Sequence, residues 1–421
     1  MGKVRFHDET LALHAGYNRD GEQAIQVPIY MTTAYRYRSV EEAAELFNLE
    51  REGNIYTRIS NPTTRVFEER IAQLERGVDA LATASGMGAI FYTLANLVGS
   101  GERIAISTKL YGGSITLATQ TLKRLGIEAD YFDPAHPEER LPQLLERGAK
   151  AVLFESIANP SLVVPEFEKI VEIADRFNVV TICDNTIATP YGVKPIELGV
   201  DVVVHSTSKY ITGNGTAIGG VIVEGESCRQ KLEKGAYPHF QEPDPSYHGL
   251  IYLEKFDAPF IARARLALLR DFGAVPSPFN SWLGILGLEH LGVRIRAHSE
   301  NALKIAQFLQ NHPKVKGVNY PMLTDPRAQK YLKLGSGIVS FEVAGYQEAV
   351  NLVKKLEIFL LVTNIGDSRS LITHPASTTH QQLSREELKE AGVPEGLIRI
   401  SVGLEHPDDL ISDLSRGLEG I

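Results

Sequence analysis

The segment DVVVHSTSKYITGNGTAIGG, residues 201–220, runs an apolar, β-branched stretch straight into a polar, glycine-rich turn that carries Lys209. Val202, Val203 and Val204 read as a strand buried on both faces. Lysine rarely stands where such a strand ends. An amine held there, flanked by hydroxyl residues and glycines, is partly desolvated, and desolvation lowers its pKa and makes it a nucleophile suited to Schiff-base chemistry. The plain alternative is a surface lysine on a turn.

Upstream, VVTICDNT (179–186) ends a second apolar strand on Asp184, 25 residues before Lys209. A carboxylate buried without a partner is costly. A protonated pyridine nitrogen would offset that cost and make the ring a better electron sink; a turn-capping aspartate is the other reading. Further upstream, ATASGMGAI (82–90) sets Ser85, Gly86, Met87 and Gly88 between a short strand and a helical run. A glycine turn that opens a helix turns backbone N–H groups toward an anion such as phosphate. Ser206 and Ser208, three and one positions before the lysine, add hydroxyl donors, although a G-x-G pattern alone is more often a tight turn. Tyr111, opening YGGS after the strand RIAIS (103–107), stands at the same strand-end rim, where a ring stacks on a pyridine face or packs in the core.

The surrounding pattern is strand and helix in alternation from about residue 64: TTRVFEERIAQLERG, ALATAS, RIAIS, KAVLFES, PEFEKIVEIADRF, VVTICDN, DVVVHS and GGVIVEG. It predicts an α/β fold with a mostly parallel central sheet and crossover helices. Residues 1–63 lack this rhythm, are rich in tyrosine and read as an arm, so the large domain is expected over 64–280. Long amphipathic helices and the strand-like runs GIVSFEVA, IFLLVTNIG and LIRISVG predict a smaller α/β domain over 281–421.

At 421 residues, with 43% hydrophobic and 23% charged content, the chain buries a substantial core. No run reaches the roughly 18–20 apolar residues of a membrane span, and MGKVRFHDET lacks a signal-like apolar centre, so a cytoplasmic enzyme is expected and no membrane partner. Two cysteines, Cys183 and Cys228, sit in no metal-binding or disulfide pattern, and no metal is expected. The net charge of −9 is spread along the chain, and the basic run Arg263–Arg270 reads as a solvated helix face, so nucleic acid is not expected as a partner.

Ten segments in order, LHAGY, VPIYMTTAYRY, NIYTRISNPTT, ASGMGAI, YGGS, ESIANP, CDNT, HSTSKYITGNG, HPASTTH and RISVGLEHPDDL, resemble the cysteine and methionine metabolism branch of fold type I pyridoxal-phosphate enzymes, from about residue 8 to the C-terminus. The resemblance implies an aspartate aminotransferase-like fold with pyridoxal 5'-phosphate joined to Lys209, which also shuttles protons. It implies Asp184 on the pyridine nitrogen, Tyr111 stacked on the ring, and Gly86, Met87, Ser206 and Ser208 on the phosphate. Tyr56 and Arg58 match a pair that reaches the phosphate of a neighbouring subunit, in a dimer usually paired into a tetramer; Tyr111 or that Tyr56 shares the proton traffic. Arg399 would grip the substrate α-carboxylate, beside Asn364 where relatives often have serine.

Within the branch, YRYRSVEEAAELFNLEREGNIYTR, PHFQEPDPSYHGLIY and NIGDSRSLITHPASTTHQQL resemble O-acetylhomoserine sulfhydrylases more than lyases. That implies γ-replacement, in which O-acetyl-L-homoserine and sulfide give L-homocysteine and acetate, a step in methionine biosynthesis. Methionine γ-lyase or cystathionine γ-synthase-like chemistry on the same residues is the alternative, and a non-catalytic α/β binding protein is a third reading. TGNG after the lysine departs from the GGHG of the branch, with Asn214 in place of histidine, which bears on loop chemistry.

Overall fold

The apolar runs on either side of Lys209 and Asp184 form the middle of a seven-stranded sheet. In the computed structural model, which describes residues 6–18, 21–378, 381 and 392–421, its strands are β1 (Asp79–Thr83), β2 (Arg103–Ser107), β3 (Glu128–Phe132), β4 (Ala149–Glu155), β5 (Val180–Asp184), β6 (Val202–Ser206) and β7 (Gly220–Glu224). The last two residues of HPASTTH, 379–380, lie outside the described residues. The spatial order is β1-β7-β6-β5-β4-β2-β3. The five strands from β6 to β3 run parallel, while β7 is antiparallel to both its neighbours.

Parallel strands need crossovers, and helices therefore cover both faces, which is why these strands read as continuous apolar runs. On one face Phe154, Cys183, Val203 and Val223 pack with Ile71, Leu74 and Leu288. On the other, Ile106, Leu153, Ile182, Val204 and Ile222 pack with Ile90 and Leu94. Each fully buried branched side chain contributes about 1.5–3 kcal/mol.

Two helices cover the part of the sheet formed by β1, β7 and β6. Helix Pro62–Glu75 starts with proline at its first turn, and Asn61 accepts from the Thr63 and Thr64 N–H groups at 3.0 and 3.4 Å. Helix Gly86–Ala95 is capped by Ser85, whose hydroxyl accepts from the Gly88 N–H at 3.0 Å. A Cβ on Gly86 would lie 2.6 Å from Ser206 Cβ, so only glycine lets this helix start so close to the end of β6.

A second, five-stranded sheet has the order β10-β11-β12-β9-β8, with β8 Gly317–Asn319, β9 Ile338–Glu342, β10 Leu360–Leu361, β11 Leu371–Thr373 and β12 Leu397–Ser401. Three of these answer the runs read from sequence. β8, of three residues, is too short to leave a periodic signal. One helix of 33 residues, Pro278–Gln310, serves both sheets. Its first half places Ile285, Leu288, Leu291 and Ile295 in the core of the large sheet, and its second half places Ala302, Ile305, Ala306 and Leu309 against the small one.

Two expectations differ from what is seen. The first 60 residues contain short helices, Asp8–His14 and Val40–Phe47, the latter capped by Ser39. The run Arg263–Arg270 is not a solvated face: Arg265 donates to Glu68 Oε2 at 2.7 Å and Arg263 to Asn96 Oδ1 at 2.7 Å, because their guanidinium groups satisfy buried acceptors of neighbouring helices.

Candidate functional site

Ligand sites in open α/β sheets lie beyond the carboxyl ends of the strands, and here β4, β5 and β6 end on Glu155, Asp184 and Ser206 around one cavity of about 680 Å³. Its wall includes Gly86, Met87, Tyr111, Asp184, Ser206, Ser208, Lys209, Asn364 and Arg399. Residues read from widely separated stretches of the sequence thus converge on one place. Tyr56 and Arg58 do not line it. Tyr56 is 41% exposed, the Arg58 guanidinium stacks 5.5 Å from its ring, and Arg58 donates to the carbonyl of Arg270.

Lys209 follows β6 by three residues, and its amine donates to Asn364 Oδ1 at 2.7 Å. Burial first, and the Arg399 charge second, lower its pKa below the ordinary lysine value. The loop that carries Asn364 passes directly over the lysine backbone: Gly366 has φ +72°, and a Cβ there would meet Tyr210 N at 2.7 Å. Arg399, from the middle of β12, is only 4% exposed, and burial pulls its pKa down to about 10. It donates to Asn159 Oδ1 at 2.9 Å and to the Asn364 carbonyl at 3.3 Å, while its Nε has no partner among the described residues. A buried guanidinium with donor capacity left over suits a carboxylate.

Asp184 Oδ1 accepts from the Thr186 N–H at 3.0 Å and from the Thr186 hydroxyl, so it caps its turn as well as facing the cavity. Burial raises its pKa, opposed by those two hydrogen bonds and then by His205. No lysine or arginine pairs with it among the described residues. Glu155, its register partner on β4, is pushed well above the usual carboxylate range by burial and then by the Asp184 charge, and accepts from the Tyr111 and Asn159 N–H groups at 2.6 and 3.0 Å. Tyr111 is thereby fixed through its backbone, and the residue is 44% exposed at the cavity rim. Ser208 accepts from the Gly219 N–H at 3.0 Å.

Glu155, Asn159 and Thr186 carry the site's inner hydrogen bonds and were not singled out from the sequence. Glu155 bears the same signature as Asp184, an acid that ends an apolar strand; Asn159 and Thr186 sit inside ESIANP and CDNT but only contacts distinguish them. Asn214, the departure from the branch pattern, is exposed: its carbonyl accepts from Arg369 at 3.0 Å, its side chain from Thr216 at 2.6 Å, and Gly215 beside it lines the cavity instead. The substitution therefore changes the outside of the turn.

These groups fit a ring that bears a cationic nitrogen and a phosphate. Asp184 supplies an uncompensated carboxylate, the start of helix Gly86–Ala95 with Ser206 and Ser208 supplies anion donors, and Lys209 supplies an amine. Residues 9–419 match the family of Cys/Met metabolism PLP-dependent enzymes, and the chain belongs to it. An O-acetyl-L-homoserine sulfhydrylase of Leptospira meyeri is 43% identical over 99% of this chain and 97% of its own. A homocysteine synthase of Schizosaccharomyces pombe is 42% identical over 98% of each. Among solved structures, a putative O-acetylhomoserine (thiol)-lyase from Campylobacter jejuni, with N'-pyridoxyl-lysine-5'-monophosphate, is 48% identical with a TM-score of 0.96 over 98% of this chain and 100% of that one.

Proposed function

We propose that the chain catalyses γ-replacement at a homoserine ester: O-acetyl-L-homoserine and sulfide give L-homocysteine and acetate, a step of methionine biosynthesis by direct sulfhydrylation. The observation that carries the reading is one desolvated amine, Lys209, in a single cavity with the uncompensated carboxylate of Asp184 and the buried guanidinium of Arg399. Relatives that share two-fifths or more of its residues over nearly the whole chain are sulfhydrylases and homocysteine synthases.

When bound, pyridoxal 5'-phosphate supplies an electron sink for carbanions next to the amino group. Lys209 holds it and afterwards moves protons at Cα and Cβ of the substrate; a four-carbon stem reaches several carbons where a short carboxylate cannot. Asp184 would pair with the ring nitrogen, Gly86, Met87, Ser206 and Ser208 would hold the phosphate, and Tyr111 would lie against the ring and share the proton traffic. Arg399 holds the substrate α-carboxylate with a fork whose orientation Asn159 and Asn364 already set. Tyr56 and Arg58, outside the chain's own cavity, complete a neighbouring subunit's phosphate site. The unit is a dimer, paired into a tetramer and cytoplasmic, in which residues 1–63 form the arm, 64–280 the cofactor domain and 281–421 the small domain.

The test is a substrate panel. Purified protein given O-acetylhomoserine should release homocysteine only when sulfide is present, and methionine alone should give nothing. Ketobutyrate and methanethiol from methionine would overturn the reading in favour of γ-elimination, and cystathionine formed with cysteine as the thiol would move it to a γ-synthase.

A further inference from the structure

Behind the cavity, on the opposite face of the sheet from Asp184, lies a polar cluster with no place in that reaction scheme. Glu75, the last residue of helix Pro62–Glu75, is fully buried, as are Asn185 and, at 1% exposure, His205. Glu75 Oε1 accepts from the Asn185 side-chain amide at 2.7 Å and meets His205 Nε2 at 2.7 Å, while Asn185 also donates to the Val193 carbonyl at 3.0 Å. Glu75 Oε2, His205 Nδ1 and Asn185 Oδ1 have no partner among the described residues.

Fold stability does not account for this arrangement. A buried acid–base pair is commonly matched or bettered by apolar residues of the same volume, and half-satisfied polar groups are worse than an apolar core. Leu74, Cys183 and Val203 around it show that apolar packing is available at this place.

What the cluster does hold is position. Asn185 directly follows Asp184, and His205 directly precedes Ser206, so one carboxylate oxygen ties the ends of β5 and β6 together on this face. Across the sheet, Thr186 ties the same two ends, accepting from the Ser206 N–H at 2.8 Å and donating to Asp184. The strand ends on either side of the site, one of them carrying Asp184, are thus tied from both faces. Burial raises the Asp184 pKa, and the Thr186 hydrogen bonds first and His205 after them oppose that rise. Glu155 on β4 is the acid that faces Asp184 within the cavity, and the buried Cys183 thiol between the two clusters is raised by burial and then by Asp184, Glu75 and Glu155.

We propose that Glu75, through His205 and Asn185, positions the Asp184 carboxylate against the ring nitrogen of the bound cofactor and so sets the cofactor's electronic state. The inference rests on the role given to Asp184 and not on which homoserine ester is the substrate.

The test compares holoenzymes carrying Glu75→Gln, His205→Gln and Asp184→Asn, read by the midpoint pH of the visible absorption band of the bound cofactor and by the cofactor concentration needed to reconstitute apoprotein. Glu75→Gln should move the midpoint in the same direction as Asp184→Asn and weaken reconstitution about tenfold, the effect of losing one charge-assisted hydrogen bond. An unchanged midpoint with wild-type reconstitution, or a lowered melting temperature with an unchanged midpoint, would overturn it, since a merely structural cluster moves only the latter. If Glu75→Gln does not fold, His205→Gln decides by the same two readouts. If Asp184→Asn leaves the band untouched, the role of Asp184 falls, and the inference with it; if it shifts the band while the other two do not, the inference alone falls.

Discussion

Lys209, Asp184 and Arg399 show how far a single position is readable. Each is a charged residue in or at the end of an apolar strand, a place that costs free energy unless a ligand or partner compensates. Arg399 makes the sharpest test of chemistry against charge. Arg399→Lys keeps the cation but loses the planar fork, so it should raise the KM for the homoserine ester roughly ten- to hundredfold, about 1.5–3 kcal/mol of charged hydrogen bonding. The cofactor's visible band should be unchanged in that variant; steady-state kinetics beside an absorption spectrum would show both. Glu155 was as readable as Asp184, yet its two N–H donors, from Tyr111 and Asn159, come from loops whose approach no local pattern announces.

Strand ends concentrate buried acids in this fold, and not all of them belong to the site. Glu224 closes β7, where its Oε2 accepts from the Ile261 N–H at 2.9 Å while Oε1 has no partner among the described residues. Burial pushes its pKa up to about 8, with Asp79 adding to the rise and Arg229 opposing it. The folded state then keeps a proton that the unfolded chain releases near the ordinary value of about 4.3. The contribution of Glu224 to stability should therefore be fully present below that value and be lost as pH rises through the folded pKa. Glu224→Gln keeps the acceptor and removes the titration, so its melting temperature should be flatter across this window and exceed the parent's at pH about 9; melts at several pH values would check the slope. Arg263 and Arg265 carry the opposite lesson: helical periodicity marked them as solvated, but the acceptors that bury them, Asn96 and Glu68, are far away in the chain.

In the molecule as a whole, the helix Pro278–Gln310 joins two cores, and Tyr56 and Arg58 do not line the chain's own cavity. If they serve a neighbouring subunit, each site is built from two chains, and a cyclic dimer presents two equivalent composite sites. Mixing Lys209→Ala with Arg58→Ala subunits, each nearly inactive alone, should then restore activity toward about a quarter of wild type, because half the random dimers are hybrids with one intact site. Activity that stays at the level of the separate variants after subunit exchange would show that Arg58 acts within its own chain.

Read as a linear string, the chain already specifies the alternation of strand and helix, the places where β5 and β6 end, and the identity of the amine and the acid there. These are local matters: apolar periodicity sets the elements, and a charge that interrupts it stands out within a few residues. It took the packed fold to bring Asn364 to Lys209, to place Glu155 in the cavity with Asp184, and to let Glu75 bridge the two strand ends from behind. Those contacts join residues up to 155 positions apart, and their pairing is set by how helices and sheets pack in three dimensions, which periodicity along the chain does not encode.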